Sequence, residues 1–406
     1  MSLATFDYQV RDRAGKVIRG RIEAESPSVV ATKLKGMGYA PIAITQANVG
    51  LHTEIKIPGF GDRVKLKDLA VSARQFATMI NSGLSLLRAL SILSEQTENK
   101  RLAEVYGSVR LAVEQGSSLS QALAQHPKVF PPIMVNMTRA GETGGFLDQV
   151  LNQLADNFEA EVKLRSTVKS AMTYPVVVFA FALLSLTAML LFIVPVFANL
   201  FAGLGGTLPL PTRVLVTLSN VLKTFMPVLL LLGLAGFLLW RRYKNEPRVR
   251  NVVDPAKLRM PVFGTLFQKI ALSRFTRNLG TMIHAGVPIL QSLDIVADTT
   301  GNIVIARAVH DVEVSVRQGE SLAGPLLNHP VFPPMVVQMM AVGEDTGALD
   351  QMLHKISDFY DAEVKSTTEA LTSLIEPLMI AVVGAIVGAM IIALYMPIFK
   401  VFDLIE

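Results

Sequence analysis

Residues 130–149 read FPPIMVNMTRAGETGGFLDQ, and residues 332–351 read FPPMVVQMMAVGEDTGALDQ. Working outward from that pair, the correspondence holds in both directions. Upstream, Met79 and Gly83 answer to Met282 and Gly286, Gly116 to Gly319, and His126-Pro127 to His329-Pro330. Downstream, Ala160-Glu161-Val162 answers to Ala362-Glu363-Val364, Pro175 to Pro377 and Pro195 to Pro397. The offset is 203 through the His-Pro pair and 202 beyond it. One single-residue slip over that distance means an internal duplication, and each copy runs directly into a long apolar segment. Two like domains feeding two like membrane helices are expected to face the same compartment.

The chain has 406 residues, 51% of them hydrophobic and 17% charged, with a mean hydropathy of +0.43. This excess of apolar residues is concentrated in Val176–Phe197, Thr224–Trp240 and Leu378–Phe399. A bilayer core about 30 Å thick needs roughly 20 helical residues, so three transmembrane helices are expected. The fold class follows: an all-α polytopic membrane protein with two repeated helical-bundle domains of about six helices each, and a small αβ module in front. Expected boundaries are 1–46 for the αβ module, 47–63 for a linker, 64–173 for the first repeat and 174–199 for span one. An outer loop follows at 200–220, span two at 221–240, a basic segment with the second repeat at 241–374, span three at 375–399 and an outer tail at 400–406. No cleavable leader is read at the N-terminus, where Met1–Asp12 is polar and alternating.

Periodicity places the helices. Leu66, Leu69, Ala73 and Phe76 to Ile80 share one face, Leu86, Leu87, Leu90 and Leu93 another, and Leu102, Val105, Val109 and Val113 a third. Ser118 is placed to cap a short helix that His126-Pro127 ends. In the αβ module, Arg13-Ala14-Gly15 reads as a turn between strands and Ser26-Pro27 as a helix start. Pro175, Pro195, Pro377 and Pro397 are expected to end or bend their helices. Gly384, Ala385 and Gly388 give span three a small-residue face of the kind that lets helices approach closely in lipid.

Basic residues set the orientation. Lys163, Arg165 and Lys169 precede span one, and Arg241, Arg242 and Lys244 follow span two as topology anchors. The loop between those spans carries only Arg213 and Lys223. The positive-inside rule therefore puts the N-terminus and both repeats in the cytoplasm and the C-terminus outside. The net charge of +5 fits lipid-facing topogenic residues, since no basic-aromatic stripe that would track nucleic acid is present.

The chain contains no cysteine, so disulfide and thiol chemistry are excluded. No phosphate-binding Gly-x4-Gly-Lys-Ser/Thr loop, metal-spaced histidine pair or nucleophile elbow occurs. No enzyme activity, metal or cofactor is expected. The apolar runs Val176–Phe197, Thr224–Trp240 and Leu378–Phe399 hold no ionisable residue of the kind that marks a solute pathway, Glu376 at the inner edge of span three being the nearest exception, which disfavours a small transporter or channel. The sharpest polar candidates are Gly141, Glu142 and Gly145 with their copies Gly343, Glu344 and Gly347. Each carboxylate sits beside a turn, where it can cap the N-terminus of the following helix, or meet a partner's basic side chain or a cation.

The stretch Arg74-Gln75-Phe76-Ala77-Thr78-Met79 with Gly83, the two Phe-Pro-Pro triplets, and the turns Gly141-Glu142-Thr143-Gly144 and Gly343-Glu344-Asp345-Thr346-Gly347 together resemble the type II secretion system protein F family. That family includes the inner-membrane platform proteins of type IV pilus assembly, and the resemblance covers essentially the whole chain. One mild departure is Asn278-Leu279-Gly280-Thr281-Met282 in the second copy, where the first has Gln75–Met79. The resemblance implies a platform in the bacterial inner membrane that couples a cytoplasmic hexameric ATPase to extraction and polymerisation of pilins. It also implies contact with other inner-membrane assembly proteins and a homo-oligomer, most simply a dimer. The alternative it leaves open is the platform of a type II secretion or DNA-uptake machine, with pseudopilins in place of pilins.

Overall fold

The computed structural model describes residues 4–11, 17–24, 27–46, 63–203, 209–244 and 246–405. The Arg13-Ala14-Gly15 turn, Ser26, the linker up to residue 62 and the centre of the loop at 204–208 lie outside them. The chain divides into Met1–Arg63 and Val64–Glu406.

The first unit is a three-stranded antiparallel sheet, order β2-β1-β3, with one helix. Strands β1 (Ala4–Arg11) and β2 (Val17–Ala24) pair as a hairpin, helix α1 (Pro27–Gly36) follows, and β3 (Ala40–Gln46) returns to the other side of β1. Alternation puts Phe6 and Val10 on the face that α1 covers with Val30 and Leu34, and these side chains form its core.

The second unit is helical throughout. The first copy comprises α2 (Leu66–Asn81), α3 (Leu86–Gln96), α4 (Lys100–Glu114), α5 (Leu119–Ala124), α6 (Pro132–Gly144) and α7 (Leu147–Ala188). A single π-helical turn, Met189–Ile193, joins α7 to α8 (Val194–Gly203), and α9 (Leu210–Tyr243) returns. A short α10 (Pro247–Arg259) precedes the second copy: α11 (Phe263–His284), α12 (Ile289–Thr299), α13 (Ile303–Arg317), α14 (Ala323–Leu326), α15 (Pro334–Thr346) and α16 (Leu349–Ile405). Each copy thus has six helices, as its periodicity predicts. Asn99 and Asn302 accept backbone N–H groups at the starts of α4 and α13, from Leu102 at 3.1 Å and Val304 at 2.9 Å. Pro132 and Pro334 stand in the first turns of α6 and α15, where a missing N–H costs nothing. One continuous apolar core runs through both copies, with Phe76, Tyr106 and Phe130 in the first and Phe275, Met340 and Phe332 in the second.

Three helices are long and apolar enough to cross a membrane: Leu147–Asn199, Leu210–Tyr243 and Leu349–Met396. Residues such as Phe181, Leu230 and Ile392 stand exposed on them, as a lipid-facing surface requires. The helices overrun the expected loop and tail. α8 reaches Gly203, α9 begins at Leu210 within the stretch read as an outer loop at 200–220, and α16 continues to Ile405. Pro209 stands immediately before α9 and Pro211 lies in its first turn, so these prolines start a helix where they were read as loop residues.

The four prolines read as helix ends need correction. Pro175 is buried inside α7. Pro377 and Pro397 lie inside α16, and Pro195 is the second residue of α8 with helix on both sides. A proline removes the N–H that would bond the carbonyl four residues earlier, and between packed helices a hydroxyl can take its place. Pro175 frees the carbonyl of Ala171, to which the Thr372 hydroxyl donates over a long 3.5 Å. Pro397 frees that of Ala393, which accepts from Thr212 Oγ1 at 2.5 Å. Ahead of Pro195 the backbone widens: the Val194 N–H bonds Met189 O, leaving Leu190 O to accept from Ser219 Oγ at 2.5 Å. Thr212 and Ser219 are both buried and lie two turns apart on α9. The returning helix therefore satisfies a broken turn on each of the other two.

Candidate functional site

The Gly-Glu turns fold alike in both copies. Gly141 and Gly343 are helical, and each lies where the start of the next helix crosses. A β-carbon on Gly141 would stand 3.1 Å from Leu147 Cα, and one on Gly343 would stand 2.9 Å from Leu349 Cα. Four residues on, Gly145 and Gly347 adopt φ of +76° and +70° to end α6 and α15. The carboxylate between them does cap a helix, but not the following one. Glu142 accepts the N–H groups of Leu119 (2.5 Å) and Ser120 (3.0 Å) at the start of α5. Glu344 accepts those of Leu322 (2.7 Å) and Ala323 (3.2 Å) at the start of α14. α5 packs against α6, and α14 against α15, so the end of the longer helix meets the beginning of the shorter. Residue spacing could not show this reversal, because it depends on tertiary packing.

A second repeated feature was not singled out in the sequence. Arg74 on α2 reaches Asp156 and Glu159 on α7, with Nε–Oε1 2.7 Å to Glu159. Arg277, its copy on α11, pairs with Asp361 on α16, and Ser273 Oγ donates to the same carboxylate at 2.6 Å. The hydrogen bond from Arg74 holds Glu159 below the usual carboxylate range, and both carboxylates raise Arg74. The offset that aligns the glycines also aligns these residues, and that was the available signal. Nearby in the second copy, the His284 ring bonds Asp350 at 2.8 Å and lowers that carboxyl, while burial lowers His354. In the first copy, Tyr106 is fully buried on Ser72 (2.9 Å) and burial pushes it up to about 12.

The two copies meet along a polar seam. Asn157 Nδ2 on α7 donates to Asn278 Oδ1 (3.1 Å) and Thr281 Oγ1 (3.3 Å) on α11. Arg274 grips Glu161 at 2.8 Å, and Gln291 Nε2 on α12 donates to Asn136 Oδ1 on α6 at 2.8 Å. Below the seam α7 and α16 run side by side in parallel. Leu164 clusters with Val364, Ala171 meets Thr372, and Leu190 and Val194 cluster with Met390 and Leu394. Both bundles therefore sit at the same end of this helix pair.

Gly384 and Ala385 are exposed and Gly388 is half-buried, and among the described residues a β-carbon on either glycine would meet nothing within 4 Å. Arg241 and Arg242 occupy the last turn of α9 and Lys244 its C-cap, where positive charge complements the helix dipole. Among the described residues, no group of three or more His, Asp or Glu is placed to hold a metal ion.

The sequence model for "Type II secretion system (T2SS), protein F" matches residues 72–195 and again 275–397, and that for the N-terminal domain of the same protein matches residues 3–45. The type IV pilus assembly protein PilC of Thermus thermophilus is 44% identical over 400 residues, covering 98% of each chain. PilC of Myxococcus xanthus is 42% identical over 99% of this chain and 96% of its own. The type II secretion system protein F of Vibrio cholerae is 32% identical over the full length of both.

Proposed function

The chain belongs to the type II secretion system protein F family, and on that premise we propose that it is the inner-membrane platform on which a type IV pilus is assembled. The observation that carries this reading is end-to-end similarity at 42–44% identity to proteins named for pilus assembly, against 32% to the secretion-system relative. Membership and three apolar helices identify an integral inner-membrane protein.

In this reading the work of assembly comes from outside the chain. No phosphate-binding loop is present in the sequence, so a separate cytoplasmic ATPase supplies the energy and pilins are the cargo. The helices are the transmitting parts. At about 1.5 Å per residue, the 57 residues of α16 make one rod roughly 85 Å long from bundle to membrane. α7, the π-helical turn and α8 together make a rod of similar length from the first bundle. Motion imposed on the bundles is carried into the membrane by this parallel pair. The basic residues Arg241, Arg242 and Lys244 favour both bundles on the cytoplasmic side, with the C-terminus outside.

Deletion of the gene tests the reading. Surface pili should be lost while type II secretion continues, and the intact gene should restore them. Normal piliation with lost secretion would assign the chain to the alternative machine. Reporter fusions after residue 300 should report the cytoplasm, and an exported signal there would overturn the orientation.

A further inference from the structure

Span one is entered through a stripe of residues that changes character along its length. Arg165, Lys169, Met172 and Val176 recur at helical spacing on one face of α7. The stripe is basic toward the bundle and apolar toward the membrane. Ile270 and Arg274, one turn apart on α11, face it, and the two helices line an open cleft of about 520 Å³. Lys169 lies about 10 Å along the axis before Val176, where the apolar run begins. With that run filling a hydrocarbon core about 30 Å thick, the basic end of the cleft lies in the headgroup layer.

The charges of the cleft do not balance. Glu161 takes Arg165 Nε at 2.7 Å and an Arg274 guanidinium nitrogen at 2.8 Å. Lys169 has no ion-pair partner among the described residues. Three cations against one carboxylate leave two positive charges at the bundle end, above walls made by Val168, Met172, Val176 and Val177. The duplication tells which of these groups the fold needs. Glu161 keeps its copy in Glu363, whereas Thr367 and Leu371 stand where Arg165 and Lys169 do. Glu363 takes Lys269 at 2.7 Å, and Leu371 is buried. The approach to span three carries Glu369 and Glu376 instead of a basic pair. Both long helices leave their bundles at the same end, so a helix of this kind folds without the cations of the first copy.

We propose that this cleft holds one anionic phospholipid, its phosphate on Lys169 and Arg165 and an acyl chain laid along Met172, Val176 and Val177. Basic pockets between membrane helices take acidic headgroups in this way, and the lysine stem lies on apolar surface while its ammonium reaches the phosphate. The excess positive charge selects a lipid with net negative charge over a zwitterionic one. A free phosphate or an acidic peptide would meet the cations but leave the apolar half of the cleft uncovered. A lipid satisfies both ends, because it is the one such ligand that itself crosses from the headgroup layer into hydrocarbon. Arg165, Lys169 and Val176 belong to the first copy and Ile270 and Arg274 to the second, so the bound lipid bridges span one to the second bundle just below the seam. This site does not depend on which filament is assembled.

The full-length chain, purified and delipidated in detergent, is titrated with phosphatidylglycerol, and lipid-bound protein is counted by native mass spectrometry. Saturable binding is expected, with phosphatidylethanolamine of the same chains about fivefold weaker, as one charge near the phosphate layer is worth. Arg165→Gln combined with Lys169→Gln should weaken phosphatidylglycerol binding about thirtyfold, for two lost cations. Arg241→Gln combined with Arg242→Gln removes as much charge from the end of α9 and should leave the affinity nearly unchanged. Val176→Trp, at an exposed position on the apolar wall, should weaken binding with every charge in place. Glycerophosphate at the lipid's concentration should not displace it. Each variant, lipid-free, should melt as the unaltered chain does, and if one melts early the other decides. Equal affinity for the two lipids, an equal loss in the α9 double variant, displacement by glycerophosphate, or full binding in the Arg165 and Lys169 double variant would each overturn the proposal.

Discussion

Arg74 and Arg277 hold the same place in the two copies, bridge equivalent pairs of helices and live in different surroundings. The Arg74 side chain is 36% exposed and that of Arg277 is 8% exposed. The reason is the seam: α11 is covered on its far side by α7 of the first copy, whereas the matching side of α2 is open. One repeat has become an interior for the other. Duplication thus gave two domains with one fold and unequal burial, from which unequal stability is expected.

The largest expected difference tests this directly. Asp361→Ala strands a buried guanidinium and should destabilise the second copy by about 3–5 kcal/mol. Glu159→Ala, on the open side, should cost about 1 kcal/mol or less. Thermal unfolding of the full chain in detergent compares them, and equal losses would break the contrast. Next in size, Glu142→Ala and Glu344→Ala each leave two helix-start N–H groups without their partner and should cost about 1–3 kcal/mol. Here the copies are predicted to respond alike, so a marked inequality in protease resistance between them would show that one turn has been recruited to other work. Smaller again, Ser219→Ala and Thr212→Val each remove the hydroxyl from a proline-freed carbonyl. About 0.6–2 kcal/mol is expected for such bonds between membrane helices, read as a shift in the denaturing-detergent midpoint. The smallest effect is in pH. Glu159 is held below its usual range by Arg74, so its contribution is complete above the unfolded carboxylate value and fades as pH falls through the folded one. The acid limb of the stability curve should move slightly upward in Arg74→Ala, and no movement would count against paired charges at this position.

Much of this was legible in the residues. The duplicated Phe-Pro-Pro and Gly-Glu signatures marked two bundles, apolar periodicity with Gly, Pro and Ser punctuation gave about six helices in each, and uncharged runs located three membrane helices. Each of those signals is local, or repeats along the chain. The rest depended on what lies across the gap between helices. Glu142 was readable as a cap, but its client is α5, because α6 folds back on it. Pro175, Pro195, Pro377 and Pro397 signalled interruption, yet the helices continue through them. For Pro175, Pro195 and Pro397, Thr372, Ser219 and Thr212 stand opposite the freed carbonyls, and no one-dimensional pattern announces such pairings. The seam was the least visible of all. Asn157 and Arg274 align with Phe359 and Val71, which are unlike them in chemistry, so a search for repeats passes over them.

The single wide turn at Met189–Ile193 has no equivalent in α16, which is α-helical from Leu349 to Ile405. A wide turn takes in one extra residue, and at 3.6 residues per turn that advances the azimuth of everything beyond it by about 100°. Up to Met189 the two long helices are in phase, and outward of it they are not. Val194 is buried where Met396, its aligned counterpart, is only partly so. The resemblance of the halves thus stops partway along these two apolar helices, and beyond that point they present dissimilar faces to their surroundings.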